Sequence, residues 1–309
     1  MRKLLPYLWQ LRSSIHRDLA WLIASPSLLA PSRNLPVISS EEWWSMFLDA
    51  FAWIQYEDQN PDSLARFIDT PRQYKLGLYA EDLMLYYLEQ ASPYTVLAHD
   101  LQIFQHKRSI GAFDFIIKTP KGTIEHWEMA IKYFLQYEPI PDWSAFVGPG
   151  GRDTLRRKMD KILCRQILLG DTPEAKKQLH TLGIPHPQSK RVVSVGKLFG
   201  QWNSPWSQAH SGDSQQPTGK WIFQKDLRAL LVQKSSSRWK ILLHPKWLAP
   251  IIGIKSDSFL CSATLRSILE TLTHHMMLAE LHEGERGWEE HTRWMVVPNH
   301  WTKIVEDKK

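Results

Sequence analysis

Cysteine is nearly absent from the 309-residue chain: Cys164 and Cys261 stand far apart, with no CxxC pair. That excludes a disulfide framework and suits a reducing compartment. Long hydrophobic runs are also missing. The most apolar stretch, Leu19 to Pro31, contains serines and prolines and is too short to span a bilayer. The opening MRKLLPYLWQLRSSIHRD is broken by Pro6, Gln10 and Arg12, and no small-residue cleavage site follows, so it does not read as a secretory signal. A cytoplasmic protein without membrane contact is the expectation. No GxGxxG, Walker loop, GxSxG or HExxH occurs, which leaves nucleotide-binding, lipase-like and zincin readings without support.

What is present suits a two-part globular protein. Hydrophobic residues make up 43% and charged residues 23%, enough for a sizeable core. Fifteen Trp can pack, stack on bases or build an interface. The net charge of +6 favours a polyanionic partner, although a modest basic excess also serves solubility.

Residues 13–90 read as helical. Asp18–Leu29 is apolar on most sides, with Ser25–Pro26 bending or ending the helix. Glu41–Trp53 carries acids in its first turn, where the helix dipole favours them. Tyr74–Gln90 repeats Leu76, Tyr79, Leu83, Tyr86 and Tyr87 at helical spacing, with Glu81 and Asp82 between them. Three β-like runs follow: TVLAHDLQIFQ, SIGAFDFIIK and TIEHWEMAIKYFL. Thr119-Pro120-Lys121-Gly122 is a turn signal joining the last two.

The loop PIPDWSAFVGPGG then leads to a helix predicted over Asp153–Leu169, with Asp153 as a possible N-cap. Leu155, Met159, Ile162 and Leu169 line one face of that helix. Arg157, Lys161 and Arg165, four apart, form a basic stripe on another. A polar, proline-punctuated link over 171–190 precedes the strand RVVSVGKLF. NSPWSQAHSGDSQQPTGK is the chain's low-complexity loop. Beyond it WIFQKDLRALLVQ, WKILLHP, a long helix near 262–283 and RWMVVP suggest a smaller α/β region.

The middle hairpin carries the chemistry. Asp114 lies between two aromatic residues in a run of Phe, Ile and Ala, and a buried carboxylate needs a hydrogen-bond partner, a cation or a metal. Side chains alternate along a strand, so His126, Glu128, Ala130 and Lys132 share a face. The turn at 119–122 can bring Asp114 beside Glu128. Two carboxylates can hold Mg²⁺ or Mn²⁺ beside a phosphate, with lysine steadying the charge that develops. A structural salt bridge from Lys132 to Glu128 or Asp114 accounts for the same residues.

The segments LGLYAEDLMLYYLE, AFDFIIK, EHWEMAIKYFL and FVGPGGRDTLRRKMDKILCRQILL resemble the bacterial domain of unknown function family 1853. That family is placed with the PD-(D/E)XK, or restriction-endonuclease-like, phosphodiesterases. The resemblance implies an α/β core of helix, three strands, helix and strand. By it, Asp114 takes the motif's aspartate, Glu128 its second acid, and Glu81 the acid often found on the first helix. It further implies a Mg²⁺-dependent nuclease acting on nucleic acid, DNA favoured, with Asp114, Glu128 and Glu81 toward the metal. The alternative is a non-catalytic nucleic-acid-binding or protein-interaction module that keeps this fold. The chain departs from the motif where lysine should stand two residues after the second acid: that residue is Ala130, and Lys132 lies two further on the same face. Lys118 is a weaker substitute.

The division implied is a helical N-terminal segment (1–72), a nuclease-like core (73–200) and a Trp-rich α/β extension (201–309). The GPGG turn into a helix N-terminus suits an anion as well as an ordinary cap. The stripe of Arg157, Lys161 and Arg165 suits a phosphate backbone as well as solvent. Gln166, seven after Met159, can point into the site or serve as a buried structural glutamine. His275 and His282, in a His-rich tail with His274, His291, Glu280 and Glu283, would share a helix face but lack zinc-type spacing. Trp239, Trp247, Trp288, Trp294 and Trp301 can form a stacking platform, with core packing the better reading.

Overall fold

The alternating runs between 95 and 201 form the start of one sheet in a computed structural model that describes residues 3–32, 35–70, 74–207, 218–254 and 259–306. Four helices come first: α1 (Leu5–Leu8), α2 (Ser14–Ala24), α3 (Ser40–Glu57) and α4 (Asp62–Phe67). The second ends where Ser25 turns extended before Pro26. Ser39 caps the third by accepting from Glu42 N–H.

Helix α5 (Leu76–Gln90), strands β1 (Thr95–Gln105), β2 (Arg108–Lys118) and β3 (Ile124–Gln136), helix α6 (Leu155–Cys164) and strand β5 (Ser189–Gln201) follow in the anticipated order. The two-residue strand β4 (Phe146–Val147) and helix α7 (Pro173–Thr181) are interposed. The remaining elements are β6 (Thr218–Phe223), α8 (Leu227–Gln233), β7 (Arg238–Leu242), β8 (Ile252–Ile254), α9 (Ser262–Leu269), β9 (Met276–Gly284), β10 (Gly287–Val297) and α10 (Trp301–Glu306).

Among the described residues ten strands make a single mixed sheet in the order β1-β2-β3-β5-β6-β10-β9-β7, with β4 beside β3 and β8 beside β10. The hairpin strands β1, β2 and β3 are antiparallel, whereas β3, β5, β6 and β10 run parallel. The sheet therefore continues past residue 200 without a break. Strand β3 sits deepest, with every residue except Lys132 buried. Its Trp127, Met129, Ile131, Tyr133 and Leu135 pack with α2, α3 and α5. On the other side Ala130 and Phe134 pack with Leu155, Met159 and Ile162 of α6. Helices thus cover both faces, as a parallel-centred sheet requires. Among the described residues no helix is long and apolar enough to cross a membrane.

Four expectations need correction. The helix foreseen near 262–283 stops at Leu269; residues 276–284 are strand β9, so His275 and His282 share no helix face. The link 171–190 contains α7, which Thr172 caps and Pro173 opens, so the proline starts a helix where a break was anticipated. The helix foreseen over Asp153–Leu169 ends at Cys164, and a 3₁₀ turn runs from Gln166 to Asp171. Its cap is Thr154, whose hydroxyl accepts from Arg157 N–H, not Asp153. The low-complexity loop lies mostly outside the described residues.

Candidate active site

Polar residues in a central strand oppose the usual apolar run, yet β3 places Glu125, His126, Glu128 and Gln136 in buried positions. Glu128 is 1% exposed and His126 fully buried. The hairpin explains how they are tolerated. Strands β2 and β3 pair from Lys118 and Ile124 as far as Phe115 and Trp127, where the ladder ends. One residue on, the Asp114 carboxylate accepts the Met129 N–H at 2.8 Å. A side chain thereby satisfies a backbone donor that the parting strands leave behind. The 3₁₀ turn fills the wedge, bringing Leu169 close to Gly111, where an added Cβ would lie 3.1 Å from its methyl groups.

Glu128 projects from β3 toward this wedge. Its Oε2 accepts from Gln166 Nε2 at 2.7 Å, and its Oε1 lies 2.9 Å from His126 Nε2. Burial holds the His126 imidazole neutral by pushing its pKa down to about 4. The Nε2–H tautomer therefore matches a carboxylate acceptor.

The two carboxyls are coupled. Asp114 is driven up to about 7, first by burial and then by repulsion from Glu128; the Met129 N–H and nearby Lys158 oppose the rise. Glu128 is likewise driven up by burial, against the pull of Lys158, Lys161 and hydrogen bonding to Asp114. Such a pair is poised to share a proton or accept a cation.

Lys158, absent from the candidates drawn from the sequence, faces the pair from α6. Burial lowers its pKa first, and Lys132 adds to the effect, while Asp114 and Glu128 oppose it. Its Nζ is 3.5 Å from Gln166 Oε1, so Gln166 bridges the ammonium to Glu128. The signal was legible: Leu155, Lys158, Met159 and Ile162 follow i, i+3, i+4, i+7 spacing, which puts a lysine in an otherwise apolar stripe. His126, two residues before Glu128 on the same face, carried a weaker version of that signal.

Asp114, Glu128 and Gln166 are therefore brought together. Lys132 lies further along the Glu128 face, 38% exposed, with its Nζ 3.8 Å from Asp153 Oδ2. Glu81 is half-buried on α5, the helix packed against the opposite face of β3. Arg157, Lys161 and Arg165 are exposed, and only Lys161 is seen in the electrostatics of Glu128. Lys118 is exposed at the closed end of the hairpin, paired with Ile124. Of the C-terminal tryptophans, Trp239, Trp247, Trp294 and Trp301 are buried in the core, so packing accounts for them. Among the described residues no group of three or more His, Cys, Asp or Glu is arranged to hold a metal. The carboxylate donors on offer are thus two, Asp114 and Glu128.

A family model described as "Domain of unknown function (DUF1853)" matches residues 17–297. No curated protein and no solved structure matches the chain.

Proposed function

The chain belongs to the DUF1853 family, and from that premise we propose that it is a Mg²⁺- or Mn²⁺-dependent phosphodiesterase acting on nucleic acid, DNA favoured, with a restriction-endonuclease-like core. One observation carries the reading: an Asp–Glu pair with both pKa values raised lies where two strands part, faced by a half-buried lysine. The donor set fits such an ion. Two hard carboxylates suffice when water or phosphate oxygen supplies the remaining positions, and a cation relieves the repulsion that raises Asp114. When bound, it would neutralise phosphoryl charge and acidify a ligated water.

The protein's own residues divide the other tasks. Asp114 and Glu128 hold the ion. Gln166 and His126 fix the Glu128 carboxylate through its two oxygens. Lys158 Nζ offers the ammonium that steadies charge developing on the phosphate, the part the motif gives to a lysine in place of Ala130. Lys132, drawn toward Asp153, is the secondary cation, and Glu81, on the helix against the opposite face of β3, stands apart from the ion. Arg157, Lys161 and Arg165 would follow the phosphate backbone, with Lys161 nearest the acids.

The absence of lysine at residue 130 favours a second reading, a nucleic-acid-binding or protein-interaction module that keeps the fold without catalysis. Calorimetric titration of Mn²⁺ and Mg²⁺ into wild type, Asp114→Ala and Glu128→Ala decides between them. A single site lost in both variants, with cleavage of DNA slowed about 10²–10³-fold by Lys158→Met, is the result expected. Folded variants that bind metal as wild type does, or nucleic-acid binding unchanged by chelator with no cleavage, would sink the nuclease reading.

A further inference from the structure

We propose that a cleft on the face of the sheet opposite Glu128, floored by Lys197, binds a small anion through a phosphate or carboxylate group. The cavity measures about 530 Å³, within the range of small-molecule sites. Strand β5 supplies Lys197, in register with Tyr133 of β3. Its neighbours Val195 and Phe199 pack on the α2–α3–α5 side, whereas Glu128 points toward α6. The cleft is thus separate from the acid pair.

Lys197 has no close ionic partner inside the cleft. Lys197 is 1% exposed, and its ion-pair contact is a long one, 4.0 Å from Nζ to Glu290 Oε1. That carboxylate is already committed: Arg293 donates to it from Nε at 2.7 Å and Nη2 at 2.5 Å, and Ile251 N–H adds a third bond at 3.1 Å. Arg293 spends its remaining donors on the carbonyls of Trp247 and Ala249, at 2.7 and 3.0 Å, and on Met277 Sδ at 3.6 Å. Arg293 is thus balanced by Glu290 and by the neighbouring buried Asp18 carboxyl, raised to about 6 by burial, while Lys197 has no hydrogen-bonded carboxylate of its own in a desolvated place. Burial, then Arg293, pushes the Lys197 amine down to about 7, with Glu290 opposing.

The remaining groups complete the lining. Lys220 belongs to it from β6, its side chain set on the other face of the sheet by register with Trp294 and alternation with Trp221. Glu289 receives Trp9 Nε1 at 3.4 Å. The imidazoles of His282 and His291, stacked at 4.2 Å, line the cleft as well. The donor without a committed acceptor is thus Lys197, and an incoming anion would restore the proton that it lacks at alkaline pH.

Full-length protein is titrated calorimetrically with inorganic phosphate, pyrophosphate and citrate at about pH 8, in two buffers of different ionisation enthalpy. At least one probe should bind at a saturable single site, taking up close to one proton per anion. Lys197→Met should weaken binding at least about tenfold and abolish proton uptake, while Asp114→Asn should change neither. Should Lys197→Met not fold, Lys197→Arg, which keeps its proton at about pH 8, should bind without the proton uptake of wild type, and equal uptake would overturn the assignment. The proposal is overturned if none of the three probes saturates, if binding occurs without proton uptake, or if Asp114→Asn removes it.

Discussion

Replacing Glu128 by glutamine should make the protein more stable, and the gain should depend on pH in a prescribed way. The carboxyl is displaced from 4.5 to about 7 in the folded chain. At about 1.36 kcal/mol per unit, keeping it ionised above that point costs about 3 kcal/mol. A neutral isostere avoids the cost and also removes the charge that raises Asp114. Against this, a glutamine amide offers one acceptor atom where the carboxylate offered two. Either the Gln166 or the His126 contact must then turn donor to donor, a loss of about 1 kcal/mol. The net gain is about 1–2 kcal/mol, or about 2–4 °C in Tm for a chain of this size.

The sign follows from linkage. A carboxyl with a raised folded-state pKa is protonated in both states below about pH 4.5, so wild type suffers no penalty there. As pH rises toward about 7, the folded chain retains a proton that the unfolded chain has released, and stability falls. Glu128→Gln should therefore match or trail wild type near pH 4.5, overtake it between about pH 5 and 6, and hold its full gain above about pH 7. Asp18, raised to about 6 by burial, titrates in the same window, but it is common to both proteins and cancels in the difference. Urea unfolding in chelator across this range is the assay. Adding Mg²⁺ at a hundred times its Kd should stabilise wild type alone, by about 2.7 kcal/mol. Equal destabilisation of the variant at acid and alkaline pH would refute the reasoning, because Glu128 would then be an ordinary hydrogen-bonded carboxylate.

Other outcomes follow from individual side chains. Lys158→Met should slow single-turnover cleavage about 10²–10³-fold, whereas Lys132→Met, removing an ammonium that is 38% exposed and paired with Asp153, should cost far less; the reverse order would return the role to Lys132. Gly196→Ala should prevent soluble expression, because φ is +144° and the added Cβ would sit 1.8 Å from the Lys132 carbonyl oxygen; a cooperatively folding variant would contradict that packing. Combined replacement of Arg157, Lys161 and Arg165 by alanine should flatten the slope of log affinity for DNA against log salt by about one for each phosphate no longer neutralised, and an unchanged slope would make the stripe a solvated face.

The sheet was legible wherever burial was one-sided or a turn fixed the register. TVLAHDLQIFQ, SIGAFDFIIK and TIEHWEMAIKYFL gave three strands, and the turn at 119–122 correctly brought Asp114 beside Glu128. Continuous burial hid the rest. Met277 to Leu281 are buried in succession because β9 lies between β10 and β7. A short apolar run carries no period that separates such a strand from a helix. Local chemistry misled at 171–190, where Pro173 follows a Thr cap and so opens α7. Gln166 was placed by extending helical spacing past Cys164. It reaches Glu128 because the chain leaves the helix at Arg165, with φ −136° and ψ −63°.

Lys158 and Lys197 belong together in this respect, since each is a lysine set among residues that a pattern marks as core. The spacing of α6 places Lys158 with Leu155 and Ile162; the alternation of β5 places Lys197 with Val195 and Phe199. Desolvating an ammonium costs several kcal/mol unless charge of the other sign meets it. For Lys158 that charge is visible as Asp114 and Glu128. For Lys197 the nearest carboxylate is already neutralised by Arg293. The two faces of one sheet thus pose opposite problems: excess negative charge beside α6, which invites a cation, and an ammonium without a close carboxylate beneath β6 and β10, which invites an anion. A period read along each element locates both lysines, but the sign of what is missing depends on neighbours that lie 30 and 93 residues away in the chain, Glu128 from Lys158 and Glu290 from Lys197.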